Sequence, residues 1–184
     1  MISVSLPLLP EKAASLKAGD EVLLCGPVYT ARDAAHRRFM RLLDEGMPLP
    51  FDIRDQVIYY VGPTPAPPGA ASGAAGPTTS SRMDSYTPRL LSLGLRGMIG
   101  KGVRSMEVIE SIKAAGAVYF GAIGGCGALL AQKIVSSRLI AFEDLESEAV
   151  RLLIVENFPA TVIVDCHGND FYKSGPRAYL ASRR

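Results

Sequence analysis

Apolar strand-like segments alternate with segments whose apolar residues recur at helical spacing, and this alternation most limits the folds open to the chain. The pattern predicts a single α/β domain over residues 1–184, with the first five and last ten residues or so peripheral. Pairing among the final strands adds a β layer. The strand-like segments are residues 21–25, 57–61, 97–100, 117–120, 137–142, 151–156 and 160–165.

Three longer helices are predicted between the strands, with a further helix opening at residues 128–131 and a short helical piece ending at residues 16–17. Thr30 is a good N-cap for a helix that runs to about Glu45, with Asp33 near its positive end. A second helix is capped by Thr87, has Pro88 in its first turn and ends at Gly94. A third has its apolar face on Val103, Met106, Ile109 and Ile112.

Proline and glycine mark the expected breaks. Gly26-Pro27 should end the first long strand, and Phe158-Pro159 should divide the last two. The acidic residues between 143 and 148 indicate a solvated turn or a short helix.

Composition narrows the class of protein. Of 184 residues, 48% are hydrophobic and 21% charged, which is typical of a globular chain with a real core. The net charge of +2 does not favour nucleic acid or a membrane surface. No apolar run is long enough to span a bilayer, and no secretory signal is recognisable, so we expect a cytoplasmic protein. The three cysteines are scattered, which disfavours a disulfide framework or a metal site in this chain.

Residues 76–84, with the sequence GPTTSSRMD, form the densest polar motif of the chain. A stretch rich in Gly, Ala and Pro precedes it. Hydroxyls donate or accept, and a guanidinium holds a carboxylate through two parallel bonds, so the motif is suited to a small anion. Helix capping explains two of the four hydroxyls equally well, and spacing alone leaves both explanations open.

Arg32 and Lys101 are two further cations whose sequence neighbours indicate a ligand-binding site. Arg32 follows the predicted cap, where a cation opposes the helix dipole unless an anion binds there. His36 would share its helix face, either orienting a ligand of Arg32 or only packing. Lys101 lies between glycines at a strand end, where ligands of α/β sheets gather, although a solvated turn lysine is an equal alternative.

Two other clusters have simpler explanations. Residues 121–127 are glycine-rich but lack the Gly-x-Gly-x-x-Gly order of a dinucleotide loop, so close approach of the backbone to a substrate or partner is the better reading. Asp165, His167 and Asp170 fit turn chemistry better than a metal site.

Several motifs taken in order resemble the β-subunit of class I iron–sulfur fumarate hydratases and L(+)-tartrate dehydratases. The resemblance spans residues 5 to 173. It is carried by YTARDAAH at residues 29–36, YVGP at 60–63, GPTTSSRMD at 76–84 and GKG at 100–102, with Phe158-Pro159 and residues 165–172 also similar.

The resemblance implies a swivelling β/β/α domain and reversible addition or removal of water on a four-carbon dicarboxylate. It also implies a [4Fe–4S] cluster whose cysteines belong to a separate α-subunit or an N-terminal domain. By that resemblance, this chain holds no metal and is inactive alone. A hetero-oligomer with two copies of each subunit is an ordinary outcome, and a homodimer is the alternative for the isolated chain.

By position in the same motifs, Thr78 matches a threonine that acts in proton transfer, with adjacent Thr79 as the alternative. Arg32, Arg82 and Lys101 match residues that bind the substrate carboxylates, and His36 would support them. Cys126 departs from the small residues usual in the glycine loop. The resemblance does not separate fumarate from tartrate, and a non-catalytic binding or assembly module of the same fold is a further alternative.

Overall fold

The computed structural model describes residues 1–183, in which seven strands form one sheet with the order β1-β2-β3-β4-β5-β7-β6. The predicted α/β class is confirmed. The strands are β1 (Ile2–Ser5), β2 (Glu21–Thr30), β3 (Val57–Tyr59), β4 (Gly97–Gly100), β5 (Val118–Gly121), β6 (Ile134–Ala141) and β7 (Val150–Val164).

The sheet curls into a barrel-like ring because β7 pairs with two separate strands. β2, β3, β4 and β5 run parallel in that order. The long strand β7 then pairs antiparallel with β5 at one end and with β2 along most of its length. The final strands β6 and β7 therefore belong to the same sheet as the parallel strands, and the expected additional β layer is not separate from it.

Successive side chains of the central strands point to opposite faces, as strand geometry requires. Val57 and Tyr59 belong to one buried cluster together with Phe158. Ile58 and Tyr60 belong to a second cluster that includes residues of the covering helices. Both faces of β3 are therefore buried, which explains its unbroken apolar sequence.

Within residues 1–183, five α-helices connect the strands, a sixth follows β7, and two 3₁₀ helices lie in the connections. The α-helices are α1 (Pro10–Ser15), α2 (Asp33–Asp44), α3 (Thr87–Ser92), α4 (Met106–Ala115), α5 (Gly127–Ala131) and α6 (Phe171–Ser182). The 3₁₀ helices are Ser80–Met83 and Glu143–Glu148. Among residues 1–183, no helix has the length and apolarity needed to cross a membrane.

Two predicted strand breaks are wrong. β2 continues through Gly26 and Pro27, which lie at a register shift in its pairing with β7. Gly26 has φ +125°, so the glycine accommodates an irregularity inside the strand. β7 likewise continues through Phe158 and Pro159, which pair with Leu24 and Leu23 of β2, and the buried Phe158 ring packs edge-on against Tyr59.

Helix starts also differ from the predictions. Thr30 is the last residue of β2, and its hydroxyl donates to the Ala149 carbonyl and accepts from the Arg151 amide, so it does not cap α2. Thr87 is the first residue of α3, after a cap at Tyr86. Helix α4 begins after Ser105, so Val103 lies outside it and is 63% exposed.

Candidate functional site

The predicted site segments meet because they follow neighbouring parallel strands. Arg32 follows β2, residues 60–62 follow β3, and Lys101 follows β4. The carboxyl ends of adjacent parallel strands lie at one edge of the sheet, where ligands bind in α/β proteins.

Thr78 and Thr79 are held against Lys101 by the backbone. The Lys101 amide donates to the Thr78 carbonyl at 3.2 Å, and the Ser80 amide donates to the Lys101 carbonyl at 2.8 Å. The Thr78 amide donates to the Tyr60 carbonyl at 2.7 Å. Thr79 and Lys101 form an isolated parallel bridge. We refer to Thr78, Thr79 and Lys101 as the threonine–lysine half of the site.

The hydroxyls of this half are not helix caps. Thr79 precedes the 3₁₀ helix Ser80–Met83, but its side chain makes no capping hydrogen bond. Within residues 1–183, the Thr78 and Thr79 hydroxyls make no hydrogen bond at all. Ser80 instead faces inward, 2.9 Å from the Tyr119 hydroxyl. The capping explanation left open by the sequence therefore does not describe Thr78 and Thr79.

Arg32 and Arg82 converge on a single carboxylate. Arg82 Nε donates to Asp33 Oδ1 at 2.9 Å, and Arg32 Nε lies 3.8 Å from Asp33 Oδ2. Arg32 Nη2 also lies 3.5 Å from Glu148 Oε1. We refer to Arg32, Arg82, Asp33 and Glu148 as the arginine half. The Arg82 amide donates to the Thr79 carbonyl at 3.4 Å, which joins the two halves through one turn.

Glu148 supplies the anion that the start of α2 requires. Its Oε2 accepts a hydrogen bond from the Ala34 amide at 2.9 Å. Arg32 occupies the N-cap position and gives no side-chain cap of its own. A carboxylate from a distant segment therefore satisfies the helix start and offsets the unfavourable position of Arg32.

His36 lies beneath the arginine half and is fully buried. Its Nδ1 is 2.8 Å from the Arg32 carbonyl, so the contact is with the backbone of Arg32. Nε2 is buried and finds no hydrogen-bond partner among the described residues. Burial lowers the pKa of His36 from 6.5 to about 4, which keeps the ring neutral near pH 7.

A buried ion pair behind the threonine–lysine half did not stand out in the sequence. Arg104 Nε donates to Asp84 Oδ1 at 2.7 Å, and Asp84 Oδ2 accepts from the Ser105 amide at 2.7 Å. The Arg104 guanidinium lies over the Tyr60 and Tyr119 rings. Burial acts to lower the pKa of Arg104, but Tyr60 and Asp84 outweigh it and the pKa is raised. No local sequence motif predicts this ion pair, because Asp84 and Arg104 are 20 residues apart.

The glycine loop lies close to two other segments of the chain, whereas its approach to a substrate or partner stays a prediction. A Cβ at Gly124 would lie 3.3 Å from Lys101 Cδ, so the lysine stem runs along this loop. A Cβ at Gly127 would lie 3.0 Å from the Gly76 amide nitrogen. The loop therefore supports both Lys101 and the approach to the GPTTSSRMD motif.

The remaining metal candidates are turn residues and isolated thiols. Asp165 Oδ1 accepts from the His167 and Asn169 amides, which closes the turn predicted there. Cys25, Cys126 and Cys166 are free thiols on separate elements. In the described part of the chain, no three His, Cys, Asp or Glu side chains are grouped to hold a metal. These donors do not fit an iron–sulfur cluster.

The two halves together offer two guanidinium groups, one ammonium group and two uncommitted hydroxyls at one sheet edge. Arg82 is half exposed and Arg32 is 23% exposed at the side chain, so both are accessible from outside. Planar guanidinium groups suit carboxylates, and hydroxyls can exchange protons when their neighbours are fixed. This arrangement can bind a small anion with several oxygens.

Comparison with known proteins matches the Fumarase C-terminus family over residues 1–175. The chain is 41% identical over 164 residues to fumarate hydratase 2 of Leishmania major, covering 88% of this chain and 29% of that protein. It is 43% identical over 152 residues to the aerobic class I fumarate hydratase of Escherichia coli K12, covering 82% of this chain and 28% of that one.

A third relative has nearly the same length as this chain. The putative L(+)-tartrate dehydratase subunit beta of Methanocaldococcus jannaschii is 37% identical over 172 residues, covering 90% of this chain and 88% of that protein. The chain thus spans less than a third of the two fumarate hydratases and most of the tartrate dehydratase subunit. From the match over residues 1–175, the chain belongs to the Fumarase C-terminus family.

Proposed function

We propose that the chain is the β part of a hydro-lyase that adds water to, or removes it from, a four-carbon dicarboxylate. Fumarate is the proposed substrate, because two of the relatives described above are named fumarate hydratases. The proposal includes a swivelling β/β/α domain and a site shared with another polypeptide.

One observation carries the proposal: Arg32 and Arg82, 50 residues apart in sequence, face one carboxylate beside Thr78, Thr79 and Lys101. A dicarboxylate is best held by more than one cationic group, and the two halves of the site provide cations beside the threonines. In hydration of fumarate the developing negative charge is adjacent to a carboxylate, where Arg and Lys stabilise it.

Thr78 is the proposed proton-transfer residue, with Thr79 as the alternative. A threonine hydroxyl is a weak base, so its role depends on neighbouring cations and on residues of the partner. The hydroxyls make no hydrogen bond within residues 1–183, and the backbone of both residues is fixed against Lys101. That combination leaves the hydroxyl available on a fixed backbone.

The [4Fe–4S] cluster of the proposed enzyme belongs to a cluster-bearing α-subunit, since the donors of this chain do not fit one. The separate β-subunit named among the relatives supports an α partner. An L(+)-tartrate dehydratase is the second candidate, supported by that same relative and its matching length.

The test is reconstitution with the α-subunit and an anaerobic assay of fumarate hydration and tartrate dehydration. The complex should turn over one of them, and the chain alone should turn over neither. Thr78→Ala and Arg82→Ala should each lower kcat/KM by at least about 100-fold if they act in the transition state. Activity unchanged in both variants would remove the proposed roles.

A further inference from the structure

Gly62 and Glu148 enclose the guanidinium of Arg32 from two segments distant in sequence. A Cβ at Gly62 would lie 2.8 Å from Arg32 Nη1 and 3.3 Å from Arg32 Cδ. The guanidinium therefore lies directly against the glycine backbone, in space that any side chain would take. Glu148 Oε1 is 3.5 Å from Arg32 Nη2.

The segment that carries Glu148 is fastened to the start of α2. Glu148 Oε2 accepts from the Ala34 amide, and the Thr30 hydroxyl donates to the Ala149 carbonyl at 3.1 Å. Arg38 of α2 also pairs with an aspartate of the same segment. These contacts fix the Glu148 carboxylate relative to Arg32.

The enclosure leaves donors of Arg32 uncommitted. Its ion-pair distances of 3.5 and 3.8 Å exceed those of hydrogen bonds. Arg32 Nε and Asp33 Oδ2 are buried, and neither has a hydrogen-bond partner among the residues described. Shape and charge hold the guanidinium in place, and 23% of the side chain stays exposed to a ligand.

We propose that Gly62 and Glu148 are positioning residues for Arg32, the first by leaving room for its guanidinium and the second by its charge. This inference rests on the proposed function. The carboxylate of the substrate would meet a guanidinium already aligned, and alignment of binding groups contributes strongly to catalysis.

Gly62→Ala tests the steric part. The φ of Gly62 is not positive, and two of the three nearest contacts of the new methyl are atoms of the Arg32 side chain. Alanine should therefore displace Arg32 without unfolding the chain. In the α–β complex, kcat/KM for fumarate should fall by about 100-fold, mainly through a higher KM. In an Arg32→Ala background, Gly62→Ala should cause no further loss.

Glu148→Gln tests the charge. The amide oxygen can still accept from the Ala34 amide, so the helix start is preserved. We expect kcat/KM to fall by about fivefold, the size of a partly exposed ion pair. Glu143→Gln, an exposed carboxylate in the same segment, is the matched control and should leave kcat/KM unchanged.

The outcomes separate the inference from the proposed function. If the wild-type complex turns over neither fumarate nor tartrate, the proposed function is wrong. The positioning roles of Gly62 and Glu148 are then tested by NMR of the chain alone. The Arg32 Nε–Hε signal should then shift in Gly62→Ala and Glu148→Gln but not in Glu143→Gln. An unshifted signal, or equal losses with and without Arg32, would overturn the positioning roles.

Discussion

The two halves of the site are built in different ways. The threonine–lysine half is held by backbone hydrogen bonds among residues 60, 78–80 and 101. The arginine half is held by side-chain charges centred on Asp33 and Glu148. Backbone pairing is insensitive to salt and to most substitutions, whereas exposed ion pairs are weak and screened. One half is therefore a platform fixed by the backbone, and the other is held in place by charges that salt can screen.

The largest effect should come from the buried pair behind the platform. Asp84→Ala would leave the Arg104 guanidinium buried without its carboxylate and free the Ser105 amide. The free energy of unfolding should fall by about 3 kcal/mol, as when one partner of a buried pair is removed. Urea denaturation followed by circular dichroism measures it.

Asp44→Ala is the control, because Asp44 pairs with Arg89 at the exposed surface. Its loss should be much smaller. Equal losses in the two variants would show that the platform does not depend on the buried pair.

Acid should weaken the region beneath the arginine half. His36 has a pKa of about 4 in the folded chain and 6.5 when unfolded, so protons bind the unfolded state first. Its contribution is fully present above pH 6.5 and is lost as the pH falls toward 4. By pH 4 the loss should reach about 3 kcal/mol, because each pH unit between the two pKa values contributes about 1.4 kcal/mol and the last part of the transition lies below pH 4.

Denaturation at several pH values between 7 and 4 measures this slope. His36→Gln should flatten the slope even if it lowers stability at pH 7, and His167→Gln, on the exposed turn, is the control. A slope unchanged in His36→Gln would mean that another group senses the acid.

The smallest effect should come from the arginine half. Asp33→Asn removes the charge that Arg82 and Arg32 share, and the free energy of unfolding should fall by about 1 kcal/mol or less. The difference from wild type should shrink in 1 M salt, because charges near the surface are screened. A large, salt-independent loss would show that this half is as rigid as the platform.

Local sequence predicted most elements but misplaced their ends. The strands at 57–61 and 97–100 were recognised because both faces of those strands are buried and their sequences are apolar throughout. The sequence does not predict strand β1, and it predicts breaks at Gly26-Pro27 and Phe158-Pro159 that the structure does not have. Pairing with a long neighbouring strand outweighs the local preference of proline and glycine, and no local pattern contains that pairing.

The sequence motifs identify the cations and hydroxyls of the candidate site. They do not identify the residues that hold these groups in place. The sequence predicts that the negative charge of Asp33 interacts with the positive end of the helix dipole. It predicts a solvated turn or short helix at residues 143–148. Their contacts with Arg32 and Arg82 depend on the docking of distant segments. Gly62 belongs to the YVGP motif at residues 60–63, but only the structure shows that its lack of a side chain makes room for the Arg32 guanidinium.

The sequence by itself determined the α/β class, the family and the types of chemical group at the sheet edge, because apolar periodicity and motif chemistry are written in short stretches of chain. The closed ring of strands, the carboxylate shared by two arginines and the neutral buried His36 were decided by the tertiary structure. Each depends on contacts between segments far apart in the chain, and the distance, burial and charge at such contacts exist only once the chain has folded.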